Sequence, residues 1–134
     1  VNAVLVDSSV VLDLFTADPV FGGRALAALA EWGGRGDLLI DDIVYAELSV
    51  GFARIEELDA ALAGAGFVIA PLPREALFLA GKAFLAYRRR GGAKTAPLPD
   101  FLIGAHAAVA GLPLLTRDPS RVRAAFPTVR IVEP

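Results

Sequence analysis

The chain has no cysteine and no methionine among its 134 residues. Without cysteine there can be no disulfide, no thiolate metal site and no cysteine nucleophile. Histidine occurs once, at His106, and Ser8, Ser9 and Thr116 have no histidine base near them in pattern, so a hydrolase triad is not supported. The glycine-rich segments are dipeptides such as Gly33-Gly34 and Gly91-Gly92, not a phosphate-cradling loop followed by Lys and Ser/Thr. No uncharged run reaches the ~18 residues of a membrane span. The stretch 60–73 carries two glycines and two prolines, and 101–116 contains His106 and Pro113. No basic segment precedes the first apolar stretch, and Asp7 interrupts it, so no signal peptide is expected and a cytoplasmic location is the default. Repeats, linkers and low-complexity segments are also missing.

Charge is modest and unevenly placed. The formal net charge of −2 argues against a protein that simply coats nucleic acid. No acid occurs between Glu75 and Asp100, whereas Lys82, Arg88, Arg89, Arg90 and Lys94 all lie there. Arginine outnumbers lysine eleven to two, and its planar fork is the better match to phosphate. The Arg88-Arg89-Arg90 run before Gly91-Gly92 is equally a favourable cationic helix end with a glycine stop.

What is present is a hydrophobic fraction of 55%, enough for one compact domain spanning 1–134. Ala3-Val4-Leu5-Val6 reads as a fully buried strand that ends at Asp7, with a helix starting at once through Val10, Val11, Leu14 and Phe15. Asp18-Pro19 predicts a second helix, ended by Gly33-Gly34. A strand is expected at 37–40, a helix from Asp41-Asp42 to about Phe52, another from about Ile55 to Ala63, and a strand at 67–70. Pro73 to about Arg90 is the longest helix, 101–110 a small-residue helix, Leu114-Leu115 a strand, Asp118-Pro119 a short helix start, and 129–132 a last strand. Strands alternating with helices predict an α/β fold with a parallel sheet.

Four acids invite chemistry. Asp7 and Asp118 directly follow strands, so both belong at the carboxyl edge of the sheet, where ligands of open α/β sheets bind. Each also has a plain structural role available: Asp7, Asp100 and Asp118 can all serve helix starts. Glu47 has the poorest such excuse. Its helical neighbours Ile43, Val44, Val50 and Gly51 place it on an apolar stripe, where an unpaired charge is costly. Four oxygen donors with no His or Cys partner suit Mg²⁺ or Mn²⁺. Such a site can activate water and shield a phosphate. Ser9 and Thr116 are placed to hydrogen-bond the carboxylates. His106, six residues after Asp100, points roughly 120° away on a helix and reads as a packed or surface histidine. Asp13, Asp41, Asp42 and Asp59 look ordinary, Asp41 and Asp42 as caps.

The ordered set Val4-Leu5-Val6-Asp7-Ser8-Ser9-Val10, Tyr45-Ala46-Glu47-Leu48, Pro99-Asp100-Phe101-Leu102-Ile103-Gly104-Ala105-His106 and Leu114-Leu115-Thr116-Arg117-Asp118 resembles the PIN-domain nucleases, and within them the VapC-type ribonuclease toxins. The resemblance implies a three-layer sandwich around a five-stranded parallel sheet of order 3-2-1-4-5. It also implies that Asp7, Glu47, Asp100 and Asp118 are the metal acids, with Thr116 at the family's hydroxyl position. The implied activity is Mg²⁺-dependent hydrolysis of RNA. On charge pattern alone, Arg88, Arg89, Arg90 and Lys94 are candidate RNA contacts. The implied partners are a VapB-like antitoxin, whose C-terminal segment packs into a groove and blocks the site, and a second copy in a homodimer. Leu14, Phe15, Phe21 and Trp32 could line that groove or belong to the core. Competing readings are a PIN-fold module that is non-catalytic or directed at DNA or another RNA, and a receiver-like phospho-acceptor. The last is disfavoured because Ala70-Pro71, not an aspartate, follows the third strand and no lysine occurs beyond Lys94.

Overall fold

A computed structural model describes residues 2–92 and 98–134. Among them, strand β1 (Val4–Val6) leads into helix α1 (Ser8–Phe15) and α2 (Gly22–Gly33), followed by β2 (Leu38–Ile40), α3 (Asp42–Ser49) and α4 (Ile55–Gly64). Then come β3 (Phe67–Ile69), α5 (Arg74–Arg89), α6 (Leu98–Ala110), β4 (Leu114–Leu115), α7 (Ser120–Ala125) and β5 (Ile131–Val132). The sheet runs β3-β2-β1-β4-β5 with every pairing parallel, the order that the resemblance implies.

The central strand explains this arrangement. Val4, Leu5 and Val6 are wholly buried, as a strand covered on both faces must be. Sequential strands spread from β1 through β2 to β3 on one side, and β4 and β5 add on the other. The order therefore reverses between β1 and β4, and Leu5 and Val6 register with Leu114 and Leu115 there. A crevice opens at such a switch point beyond the carboxyl ends of the strands.

Helix α6 is the most deeply packed helix, burying Phe101, Ile103, Gly104, Ala105, His106 and Ala107. Its small residues let neighbours approach closely. A Cβ on Gly104 would stand 2.6 Å from the Phe126 ring, so only glycine lets α6 meet the segment after α7. Phe84 and Tyr87 of α5 pack on Phe101 with ring centroids 5.6 and 5.4 Å away, which fixes the end of α5 beside the start of α6.

Several boundaries differ from expectation. The second helix begins at Gly22, because Asp18 accepts hydrogen bonds from the Val20 and Phe21 amides and closes a turn instead of capping the helix. Helix α3 stops at Ser49, α6 starts at Leu98, and β5 pairs only at 131–132. Helix α7 starts at Ser120 behind Pro119, with no side-chain cap bond, so Asp118 is not its N-cap. No helix among the described residues is long and apolar enough to cross a membrane.

Candidate metal centre

Asp7 continues β1 across the crevice, its own amide bonded to the Leu115 carbonyl of β4 at 2.9 Å. Its backbone is extended and it caps α1, so the cap role is real. The two carboxylate oxygens divide the work. Oδ1 accepts from the Ser8 amide at 2.9 Å, whereas Oδ2 accepts from the Ser9 and Thr116 hydroxyls, both at 2.8 Å. Those hydroxyls are held in turn, Ser9 Oγ accepting from the Arg117 amide at 3.3 Å and Thr116 Oγ1 from the Asp118 amide at 3.1 Å. Ser9 and Thr116 thus both bond the same oxygen of the Asp7 carboxylate.

Glu47 reaches the same place from α3, its Oε1 accepting from Ser8 Oγ at 2.9 Å. The apolar stripe expected around it is only partly formed. Val44 is wholly buried but Val50 is 88% exposed, because α3 has ended before it. Glu47 is accordingly half-buried at the rim of the sheet and not beneath it.

Electrostatics show which acids face one another. Burial pushes the Asp7 carboxyl above the usual carboxylate range, against the hydroxyl bonds from Thr116 and Ser9, and the Asp100 charge adds to the rise. Burial likewise raises Glu47, with Asp7, Asp100 and Asp41 adding to it and the Ser8 bond opposing it. Asp7, Glu47 and Asp100 therefore form one like-charged group. Asp118 is exposed at the rim, is not among the main charges acting on the other two, and joins the group through its amide bond to Thr116.

This all-oxygen, mutually repelling set has the donor chemistry of a hard dication site. Among the described residues, however, no three such groups converge closely enough to hold an ion as the side chains stand.

Two acids passed over in the sequence are the more deeply buried ones. Asp41 is wholly buried, caps α3 through the Ile43 and Val44 amides, and meets His106 Nδ1 at 3.0 Å. His106 is therefore packed, 3% exposed, and it ties α6 to the start of α3. Asp13, 4% exposed, takes a two-pronged bond from Arg117 through Nε at 2.8 Å and Nη2 at 3.2 Å. Asp13 lies three residues after Val10 on the buried face of α1, a spacing that could have revealed it.

Arg88, Arg89 and Arg90 end α5 as exposed residues, with the Arg88 guanidinium 5.9 Å from the Phe84 ring centroid. The Tyr87–Phe101 contact sets this basic turn beside the N-terminus of α6, which carries Asp100. A cavity of about 360 Å³ lies there, lined by Tyr87, Arg90, Phe101 and Ser120. The fourth candidate cation, Lys94, lies outside the described residues.

An open parallel sheet with a carboxylate cluster at its switch point defines the class. The PIN domain family model matches residues 4–127, and the chain belongs to that family, whose members are generally nucleases. Three solved structures illustrate the likeness. VapBC2 from Rickettsia felis, bound to a DNA fragment from its promoter, is 18% identical with a TM-score of 0.73, covering 98% of this chain and 98% of that one. A toxin–antitoxin complex from Klebsiella pneumoniae is 24% identical with a TM-score of 0.70, covering 96% and 95%. VapBC-1 from nontypeable Haemophilus influenzae is 17% identical with a TM-score of 0.73, covering 98% and 97%. At these identities the likeness is one of fold. Among curated proteins none matches the sequence.

Proposed function

We propose that this protein is a Mg²⁺-dependent endoribonuclease toxin of the VapC type, neutralised by a VapB-like antitoxin. The observation that carries the reading is the cluster of Asp7, Glu47 and Asp100 at the β1/β4 switch point. Asp7 and Glu47 have hydroxyl and amide partners but no cation among the described residues. For Asp7 and Glu47, like charges held close together are costly, and a dication relieves that cost.

In this reading Asp7, Glu47, Asp100 and Asp118 hold Mg²⁺ or Mn²⁺. When bound, the ion would supply charge neutralisation at a phosphodiester and make the attacking water a stronger acid. Ser9 and Thr116 keep the Asp7 carboxylate in one orientation, and Ser8 does the same for Glu47. The basic turn Arg88–Arg90 draws the RNA backbone toward the start of α6, and Lys94 is a further candidate RNA contact. The fold likeness to toxin–antitoxin complexes supports an antitoxin partner, and we include a homodimer and a cytoplasmic setting in the proposal.

The test combines Mn²⁺ titration by calorimetry with cleavage of structured RNA. Saturable Mn²⁺ binding and Mg²⁺-dependent cleavage are expected for the wild type, and Asp100→Asn should lose both while keeping its melting temperature. Absence of saturable binding in the wild type would leave only a non-catalytic module on this fold. Cleavage of DNA in place of RNA would move the reading to a DNA-directed nuclease.

A further inference from the structure

We infer that Arg117, locked onto Asp13 and Phe21, is a positioning residue that holds the β4–α7 turn so that Thr116 stays bonded to Asp7 and Asp118 to Thr116. The inference rests on the proposed role of these acids.

Arg117 lies between Thr116 and Asp118 in the sequence, and its backbone and side chain point to different work. Its amide donates to Ser9 Oγ at 3.3 Å, and Ser9 Oγ donates to Asp7 Oδ2 at 2.8 Å. Its guanidinium reaches one turn further along the same helix, giving two bonds to Asp13 at 2.8 and 3.2 Å. The guanidinium carbon also stands 4.3 Å from the Phe21 ring centroid. Asp13 belongs to α1, and Phe21 is the residue before α2. One side chain thus fastens the turn after β4 to two elements on the other side of the switch point.

A surface ion pair would contribute little to such a task. This pair differs in that Asp13 is 4% exposed, the contact is bidentate, and an aromatic face covers the guanidinium. A fork held by two bonds and a stacking face has few rotamers left, so the backbone it belongs to is held as well. Asp118 has no helix-capping role, so its position depends on the turn. Its amide bond to Thr116 Oγ1, at 3.1 Å, is the link that would open first.

The experiment reads the metal-free protein first. Amide hydrogen exchange of Arg117 and Asp118, followed by NMR, reports the two bonds to Ser9 and Thr116. Arg117→Lys keeps a cation beside buried Asp13, so the fold survives, but it loses the fork and the stacking. We expect both amides to exchange at least tenfold faster than in the wild type while Leu5 and Val6 of β1 keep their rates. Mn²⁺ affinity should fall about 10–100-fold, the range for partners that orient ligands. Arg117→Ala should enlarge both effects. Unchanged exchange at 117 and 118 in Arg117→Lys, or equal acceleration in β1, would overturn the inference and leave a structural ion pair. If the wild type binds no Mn²⁺, the nuclease reading fails, and the exchange data still decide the role of Arg117.

Discussion

Two kinds of carboxylate lie around the same sheet edge. Asp13 and Asp41 are the more deeply buried, at 4% and 0% exposure, and each faces a group able to carry positive charge, Arg117 or His106. Asp7 and Glu47 are less buried, yet their partners are hydroxyls, one amide and other acids. Depth of burial therefore does not single out the acids proposed to bind a cation. What distinguishes Asp7 and Glu47 is the lack of a cationic partner among the described residues, since a buried acid that is neither paired nor bound to a cation must shift its proton affinity. The paired acids hold helices together, and the unpaired ones stay available to an external charge.

The largest expected effect sets these two kinds apart directly. Asp7→Asn retains an oxygen for the Ser8 amide, so α1 stays capped, but it removes the charge from the cluster. Mn²⁺ affinity and RNA cleavage should fall by more than about 100-fold, beyond the 10–100-fold typical of a residue that only orients a ligand. Calorimetry and single-turnover cleavage measure the two losses. Equal losses from Asp41→Asn would erase the distinction.

On the stability axis the ranking should invert. Asp41→Ala deletes the α3 cap, which costs about 1 kcal/mol, and strands buried His106, which costs about 1–3 kcal/mol. A loss of about 2–4 kcal/mol in urea unfolding is expected on these grounds. Asp7→Asn should lose clearly less. If the two variants unfold alike, the paired acids have no special structural role.

How far this contrast was legible in the sequence depends on the residue. The strand Val4–Val6 and the strand Leu114–Leu115 could be read because continuous apolar runs are what buried parallel strands need. Asp7 and Asp118 follow from those strands, and Asp100 and Glu47 from helical position. Helix limits were less legible, because Asp18 and Asp118 signal a cap equally well whether they close a turn or start a helix. The His106–Asp41 contact spans 65 positions and Arg117–Asp13 spans 104, and no local pattern encodes which partner a buried charge meets. The depth of Glu47 was not legible, since the apolar stripe expected to bury it ends with α3 and leaves it half-buried at the rim.

A third effect tests whether the basic turn belongs to the site or only to α5. Replacing Arg88, Arg89 and Arg90 together with glutamine should raise KM for RNA up to about tenfold near physiological salt and leave kcat unchanged. The slope of log KM against log salt should shrink by about 2, given roughly 0.7 per phosphate contact on single strands. An unaltered KM with a stability loss of a few tenths of a kcal/mol would mean that the turn only complements the helix dipole.

The smallest effect is the one that tests the counter-charge argument itself. Burial and the neighbouring acids raise the proton affinity of Glu47 in the folded state. Between the ordinary carboxylate range and that raised value, the native protein holds more protons than the unfolded chain. Stability of the metal-free protein should therefore fall as pH rises from about 4 through this window and then level off. Glu47→Gln removes the charge while its amide oxygen can still accept from Ser8 Oγ. In chelator at pH 7 the variant should exceed the wild type by a few tenths of a kcal/mol, the scale of partly exposed charge interactions. The gap should close below about pH 4, where the wild-type carboxyl is protonated in both states. Saturating Mn²⁺ should reverse the order, because only the wild type keeps the full set of charged donors. Urea unfolding across pH, with and without the ion, follows all three arms. A gap that ignores both pH and Mn²⁺ would place Glu47 with Asp13 and Asp41 as an acid of the scaffold.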